Sequence, residues 1–203
     1  MASTSSPGAS VPTLVSLLRQ ECSYRPDADS LESLLAQCDT RTYSRNEVII
    51  NTGEINDNIY IVDEGIIRIH YLHGDKEITF GFGIRATVFL SPVGYYMRQP
   101  AFMTTSACTR CVVKVIKRVD FERLAIANLD LERWFHSLWM HQLSYAEKKL
   151  EVINGNIAER YRSMVKNRPE IIRAVPARVI ASYLGVSPEY LSRIRKGMLS
   201  DRH

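Results

Sequence analysis

The chain has 203 residues, 45% apolar and 24% charged, with a formal net charge of +4. That length can bury a core in one or two domains, and no apolar run approaches the ~20 residues that a membrane-spanning helix needs. The charge is unevenly placed: residues 156–203 hold ten Lys/Arg against four Asp/Glu, whereas residues 1–155 hold sixteen against eighteen. A basic C-terminal segment on a nearly neutral body points to a polyanionic partner.

The first ten residues, MASTSSPGAS, lack the basic end and apolar core of a signal peptide and read as a disordered tail on a cytoplasmic protein. Helical spacing of Val11, Leu14, Val15 and Leu18, then of Leu31, Leu34 and Leu35, predicts helices over Val11–Cys22 and Ser30–Cys38. Asp29 or Ser30 can cap the second. After Thr40 the period becomes that of strands. NEVIINTGE predicts a short strand with a turn at Gly53, followed by strands at Asn58–Val62, Ile66–Leu72 and Lys76–Phe82. Turns fall at Asp63-Glu64-Gly65 and His73-Gly74-Asp75. Ile66, Arg68 and His70 alternate with Ile67, Ile69 and Tyr71, the pattern of a sheet with one buried face. Residues 86–100, with Pro92, Gly94 and Pro100, predict a loop or one helical turn. Strands resume at Met103–Cys108 and Val112–Lys117 across Thr109-Arg110. Short strands with regular turns predict a β-sandwich or barrel-like roll, with flanking helices, over residues 11–129.

Asp120 opens a helix to Ala127, and Asp130 is placed to cap a long one across residues 130–155, ending near Asn154-Gly155. On the long helix Leu131, Trp134, Leu138, His141 and Tyr145 form a stripe that Phe135, Trp139 and Leu143 widen. So broad a stripe predicts one face on the roll and another on a second copy of the chain. Residues 156–203 form the last unit. Asn156–Lys166 and Glu170–Ala174 predict scaffold helices leading into VPARVIASYLGVSPEYLSRIRK, Val175 to Lys196.

In that stretch Ala181, Gly185 and Leu191, with Ile180, Leu184, Val186 and Ile194 around them, have helix-turn-helix spacing. Ala181 lets two helices approach. Gly185 can take the positive φ that ends the first. Ser187 can cap the second, with Pro188 in its first turn. The remaining face carries Ser187, Glu189, Tyr190, Ser192, Arg193 and Lys196, a set of donors, acceptors and cations suited to base edges and phosphates.

A roll, a long helix and a helix-turn-helix together resemble the Crp/Fnr family of bacterial transcription regulators. The resemblance rests chiefly on GEINDNIYIVDEGIIRIHY and on IAERYRSMVKNRPEIIRAVPARVIASYLGVSPEYLSRIRK, and covers the chain from about Leu31 onward. It implies an α+β protein: an N-terminal β-roll, a cyclic-nucleotide-binding-like jelly roll, then a long dimerisation helix and a C-terminal helix-turn-helix. The implied partners are double-stranded DNA, a second copy of the chain, an effector that the sequence does not name, and RNA polymerase. Family recognition helices read bases with an arginine, a glutamate and a second arginine. Glu189 and Arg193 match the last two, and Pro188 stands at the first. Family members that bind cyclic nucleotides hold the ribose with a Gly-Glu pair and the cyclic phosphate with an arginine. Here Ser91-Pro92 and Ala101 stand at those positions. Arg85 and Arg98 lie nearby as weak candidates for ligand binding. The resemblance therefore implies a degenerate nucleotide site that does not respond to cyclic AMP.

Cys108 and Cys111 form a CxxC across a hairpin turn and read as two small strand residues; the clustered N-terminal cysteines of the family's iron–sulfur sensors are missing. His136 and His141, five apart on a helix, are poorly spaced for a shared metal. No nucleophile–base set, paired carboxylates or glycine-rich phosphate loop is visible, so neither an enzyme nor a cofactor is expected. The alternative left open is a ligand-sensing or protein-interaction module whose helix-turn-helix does not touch DNA.

Overall fold

The computed structural model describes residues 12–153 and 156–200; the tail at residues 1–10 and the long helix's end at Asn154-Gly155 fall outside them. Helices α1 (Leu14–Leu18) and α2 (Ala28–Ala36) precede the strands. Then follow β1 (Asp39–Tyr43), β2 (Val48–Ile50), β3 (Ile59–Glu64), β4 (Ile67–His73), β5 (Lys76–Gly83), β6 (Val88–Phe89), α3 (Pro92–Met97), β7 (Thr104–Ala107) and β8 (Cys111–Ile116). Two four-stranded antiparallel sheets result, in the orders β1-β8-β3-β6 and β2-β7-β4-β5. β1 carries no apolar alternation. Backbone pairing with β8, from Asp39 opposite Val115 to Tyr43 opposite Cys111, recruits it as an edge strand that periodicity does not show. Likewise residues 86–100, expected as a loop or one helical turn, contain β6 as well as the short helix α3; Ser91 starts α3 by accepting from the Gly94 N–H at 3.2 Å.

Between the sheets, Tyr43, Ile50, Tyr60, Val62, Ile67, Phe89 and Val113 form one apolar cluster. The other face of β3 sends Ile59 and Ile61 into a second cluster with Leu18, Leu31, Leu34, Phe121 and Trp134. Both faces of β3 are thus covered, which is why Ile59, Tyr60, Ile61 and Val62 read as an unbroken apolar run. Gly94 is obligatory for a different reason: a Cβ there would stand 2.1 Å from the Asn56 carbonyl oxygen.

After the roll come α4 (Arg118–Ala127) and α5 (Leu129–Ile153). Their caps differ from the sequence reading. Lys117 is the N-cap of α4, with Asp120 in its first turn. Asn128 caps α5, its Oδ1 accepting from Asp130 N at 3.0 Å and Leu131 N at 3.4 Å. The Asp130 carboxylate instead accepts from Tyr24 Oη at 2.6 Å and Asp27 N at 2.8 Å, tying the N-terminal segment down.

The stripe on α5 divides along its length. Leu131, Trp134, Phe135 and Leu138 are buried among α1, α2, α4 and the roll, whereas His141, Leu143 and Tyr145 are exposed. Past Trp139 the helix runs beyond the elements that cover its first half. Among the described residues, its exposed large apolar side chains are therefore Leu129, Met140, Leu143 and Tyr145. Finally, α6 (Ile157–Asn167), α7 (Pro169–Ala174), α8 (Ala177–Leu184) and α9 (Pro188–Ser200) enclose a third cluster. That cluster also contains Ile66 and Cys108 of the roll, so the C-terminal helices and the roll share a core.

Candidate nucleic-acid interface

Helices α8 and α9 meet at a short turn. Ala181 is fully buried at their crossing, flanked by Ile180, Leu184 and Leu191. Gly185 closes α8 in the left-handed conformation (φ 74°, ψ 28°), its N–H and that of Val186 returning to α8 carbonyls. Ser187 then caps α9, its Oγ accepting from Tyr190 N at 3.2 Å. Leu191, Ile194 and Met198 turn inward at offsets of three and seven, which leaves the opposite face outward.

On that outward face Ser187, Glu189, Tyr190, Ser192, Arg193 and Lys196 are all exposed, as spacing predicts. Two have defined electrostatics. Its own backbone N–H and the Ser187 hydroxyl hold the Glu189 carboxyl below the usual carboxylate range, so it is an ionised acceptor at neutral pH. The Arg193 guanidinium carbon lies 5.3 Å from the centre of the Tyr190 ring, one helical turn away. Arg195 faces the other way, half-buried with its guanidinium carbon 5.5 Å from the Tyr161 ring centre. Exposed Arg162, Lys166, Arg168, Arg173 and Arg178 extend the positive surface over α6, α7 and α8. The arrangement can present hydrogen-bond donors and acceptors to base edges with cations around them.

In the roll, Ala101, which the resemblance aligns with a ligand-binding arginine, is 4% exposed in an apolar cluster. The stacked rings of Tyr60 and Phe89, 5.0 Å apart, belong to the same cluster. Arg98 adopts a left-handed backbone after α3 and pairs with Asp57 at the surface. Arg85 donates to the Pro12 carbonyl at 3.0 Å and faces Asp63 at 3.8 Å. Neither weak candidate is aimed between the sheets by these partners. Cys108 and Cys111 are free and lie in different clusters, Cys108 against the C-terminal helices and Cys111 inside the roll. Burial pushes the Cys108 thiol up to about 11, which keeps it protonated and unreactive at neutral pH. His136 and His141 are both exposed on α5.

Residues 40–128 match the family model of the cyclic nucleotide-binding domain. FixK2 from Bradyrhizobium japonicum superposes with a TM-score of 0.68 at 20% identity, over 81% of this chain and 85% of that one. The chain has the Crp/Fnr fold. CLP from Xanthomonas campestris, a c-di-GMP-responsive global regulator, shares this Crp/Fnr fold at a TM-score of 0.69 and 19% identity, over 86% of this chain and 93% of that one. The catabolite activator protein of Thermus thermophilus shares it at 0.55 and 16%, over 85% and 84%. No curated protein matches the chain in sequence.

Sequence spacing did not single out one further group. Ser182 and Thr79 join the first helix of the helix-turn-helix to the roll, Thr79 N donating to Ser182 Oγ at 2.9 Å. Its trace in the sequence is a hydroxyl residue beside the small Ala181 of the helix crossing.

Proposed function

We propose that the chain is a transcription regulator that binds double-stranded DNA sequence-specifically as a homodimer, without responding to cyclic AMP. The observation that carries this is the reading face of α9: Glu189, Tyr190, Ser192, Arg193 and Lys196 point outward from a helix-turn-helix on a Crp/Fnr fold. Arg193 can donate a fork to guanine O6 and N7, and ionised Glu189 can accept from cytosine N4. Ser187 and the basic surface of α6 to α8 meet phosphates. A second copy packs on the uncovered side of α5, where a groove of about 670 Å³ lined by Tyr24, Leu129, His136 and Met140 leads to exposed Leu143. That pairing sets two recognition helices about one DNA turn apart. On this reading the protein works in the cytoplasm beside RNA polymerase, and the roll serves as scaffold.

Selection from a random duplex pool by the purified protein tests the reading. The expected result is a near-palindromic consensus whose affinity falls steeply with salt, by about 0.9 in log–log slope per phosphate neutralised. An unenriched pool, or binding that ignores salt, contradicts it. Loss of cyclic-AMP response has its own support in Ala101 and in Arg98 turned to Asp57, since a buried cyclic phosphate without a cation is strongly disfavoured. Isothermal titration with cyclic AMP should show no heat of binding in the micromolar range; a micromolar isotherm lost in Arg98→Ala would contradict that.

A further inference from the structure

β5 is an edge strand, paired only with β4, so its outer backbone groups have no strand to meet. One side chain from the helix-turn-helix meets two of them. Ser182 Oγ accepts from Thr79 N at 2.9 Å and donates to the Glu77 carbonyl at 2.8 Å. With that proton committed, Thr79 Oγ1 is the donor in its 3.2 Å contact with Ser182 Oγ, the Val179 carbonyl at 3.5 Å being its other acceptor on α8. Thr79 Oγ1 in turn accepts from Arg68 Nε at 2.9 Å. The result is a directed chain, Arg68 to Thr79 to Ser182 to the edge carbonyl, buried at Arg68 and Thr79 and exposed at its Ser182–Glu77 end. Arg68 is 9% and Thr79 2% exposed, and Glu77 offsets the buried guanidinium at 2.7 Å. Both acceptors open to the Thr79 hydroxyl lie on α8, so the buried Arg68–Thr79 pair ties that helix to the sheet edge in either arrangement.

Tyr183, the next residue, reinforces the seat. Its ring lies 5.3 Å from that of Phe82 on β5, and its hydroxyl is 3.2 Å from the Tyr145 hydroxyl on α5. Consecutive residues of α8 therefore hold both the sheet edge and the long helix. Gly185 turns the chain into α9 three residues after Ser182, so where α8 sits decides where α9 sits.

We propose that Ser182 is a positioning residue for DNA recognition. Its hydroxyl seats the helix-turn-helix on the free edge of β5 and so sets the separation of the two reading helices in the dimer. This rests on the DNA-binding reading above. The seat leaves the whole reading face of α9 exposed, which makes it the binding-competent arrangement and not a block.

The test uses the full chain and duplexes that carry the same two half-sites with central spacers of different length. Wild type should prefer one spacing. Ser182→Ala should flatten that preference by roughly fivefold, the effect of one lost hydrogen bond, while base preference within each half-site stays unchanged. Ser182→Thr, which keeps the hydroxyl, should restore it. Arg193→Ala should do the reverse, losing base preference and keeping spacing preference. An unchanged spacing profile in Ser182→Ala, a uniform loss on all duplexes, or tighter binding would overturn the proposal. Amide exchange on the same proteins reads the seat without DNA: Thr79 N–H should be protected in wild type and Ser182→Thr and fast in Ser182→Ala, and equal rates would overturn the seat. If wild type retains no duplex selectively, the DNA-binding reading falls and the proposal with it, whatever the exchange data show of the seat.

Discussion

On the proposed DNA-binding reading, Arg193 is the residue on which base preference should depend most. It is exposed on α9, and the Tyr190 ring one turn back gives its planar guanidinium a preferred orientation before any DNA arrives. Glu189 stands beside it as a carboxylate, because the N-terminal hydrogen bonds of the helix favour its charged form. Arg193→Ala should therefore cost about 1–3 kcal/mol on the selected site and relax preference at one base position. Competition with single-base variants of the site measures both. Equal losses on every sequence would make Arg193 a phosphate contact only.

At the scale of elements, α5 has two jobs on different lengths of the same helix. Its first half supplies Leu131, Trp134, Phe135 and Leu138 to the core, where truncation would open a cavity. Its second half exposes Leu143 (56%) and Met140 (47%) to solvent. Leu143→Glu should consequently leave thermal stability nearly unchanged, within about 0.5 kcal/mol in the isolated subunit, because the position is at the surface. In sedimentation it should shift dimer to monomer, since a charge buried in a helix–helix seam has no partner. A dimer that survives would move the subunit contact elsewhere.

At the scale of the molecule, packing between elements buries two thiols, Cys108 in the core that the roll shares with the C-terminal helices and Cys38 against the cluster that includes α2 and α5. Burial raises the Cys108 thiol from 9.0 to about 11, and raises Cys38 to about 12. In the folded chain both thiols stay protonated where the unfolded chain has already ionised them. The native state then binds more protons than the unfolded one, so this contribution is complete below about pH 9 and is lost as pH rises toward 11. Denaturant melts across that interval should show unfolding free energy falling with pH, and Cys108→Ala should make the fall shallower. Identical slopes in the two proteins would mean that Cys108 is solvated in the native state.

Much of this protein is local in origin and therefore readable along the chain. Gly185 ends a helix, Ser187 starts one, and the inward spacing of Leu191, Ile194 and Met198 dictates which side chains of α9 face out; each depends on neighbours within two turns. The strands β3, β4, β5, β7 and β8 announce themselves by apolar period and turn residues in the same way. Other features depend on contacts between residues far apart in the chain. β1 is a strand because β8 offers it a backbone edge, although DTRTY has no strand pattern of its own. Arg68 has the alternation of a solvent-facing residue and is buried where its Nε donates to Thr79 of β5, which Ser182 of α8 holds in turn. The uncovered side of α5 follows from where the covering helices stop. Ser182 meets Thr79 over a separation of 103 residues. Periodicity reports what a segment would bury, and packing alone settles what comes to rest against it.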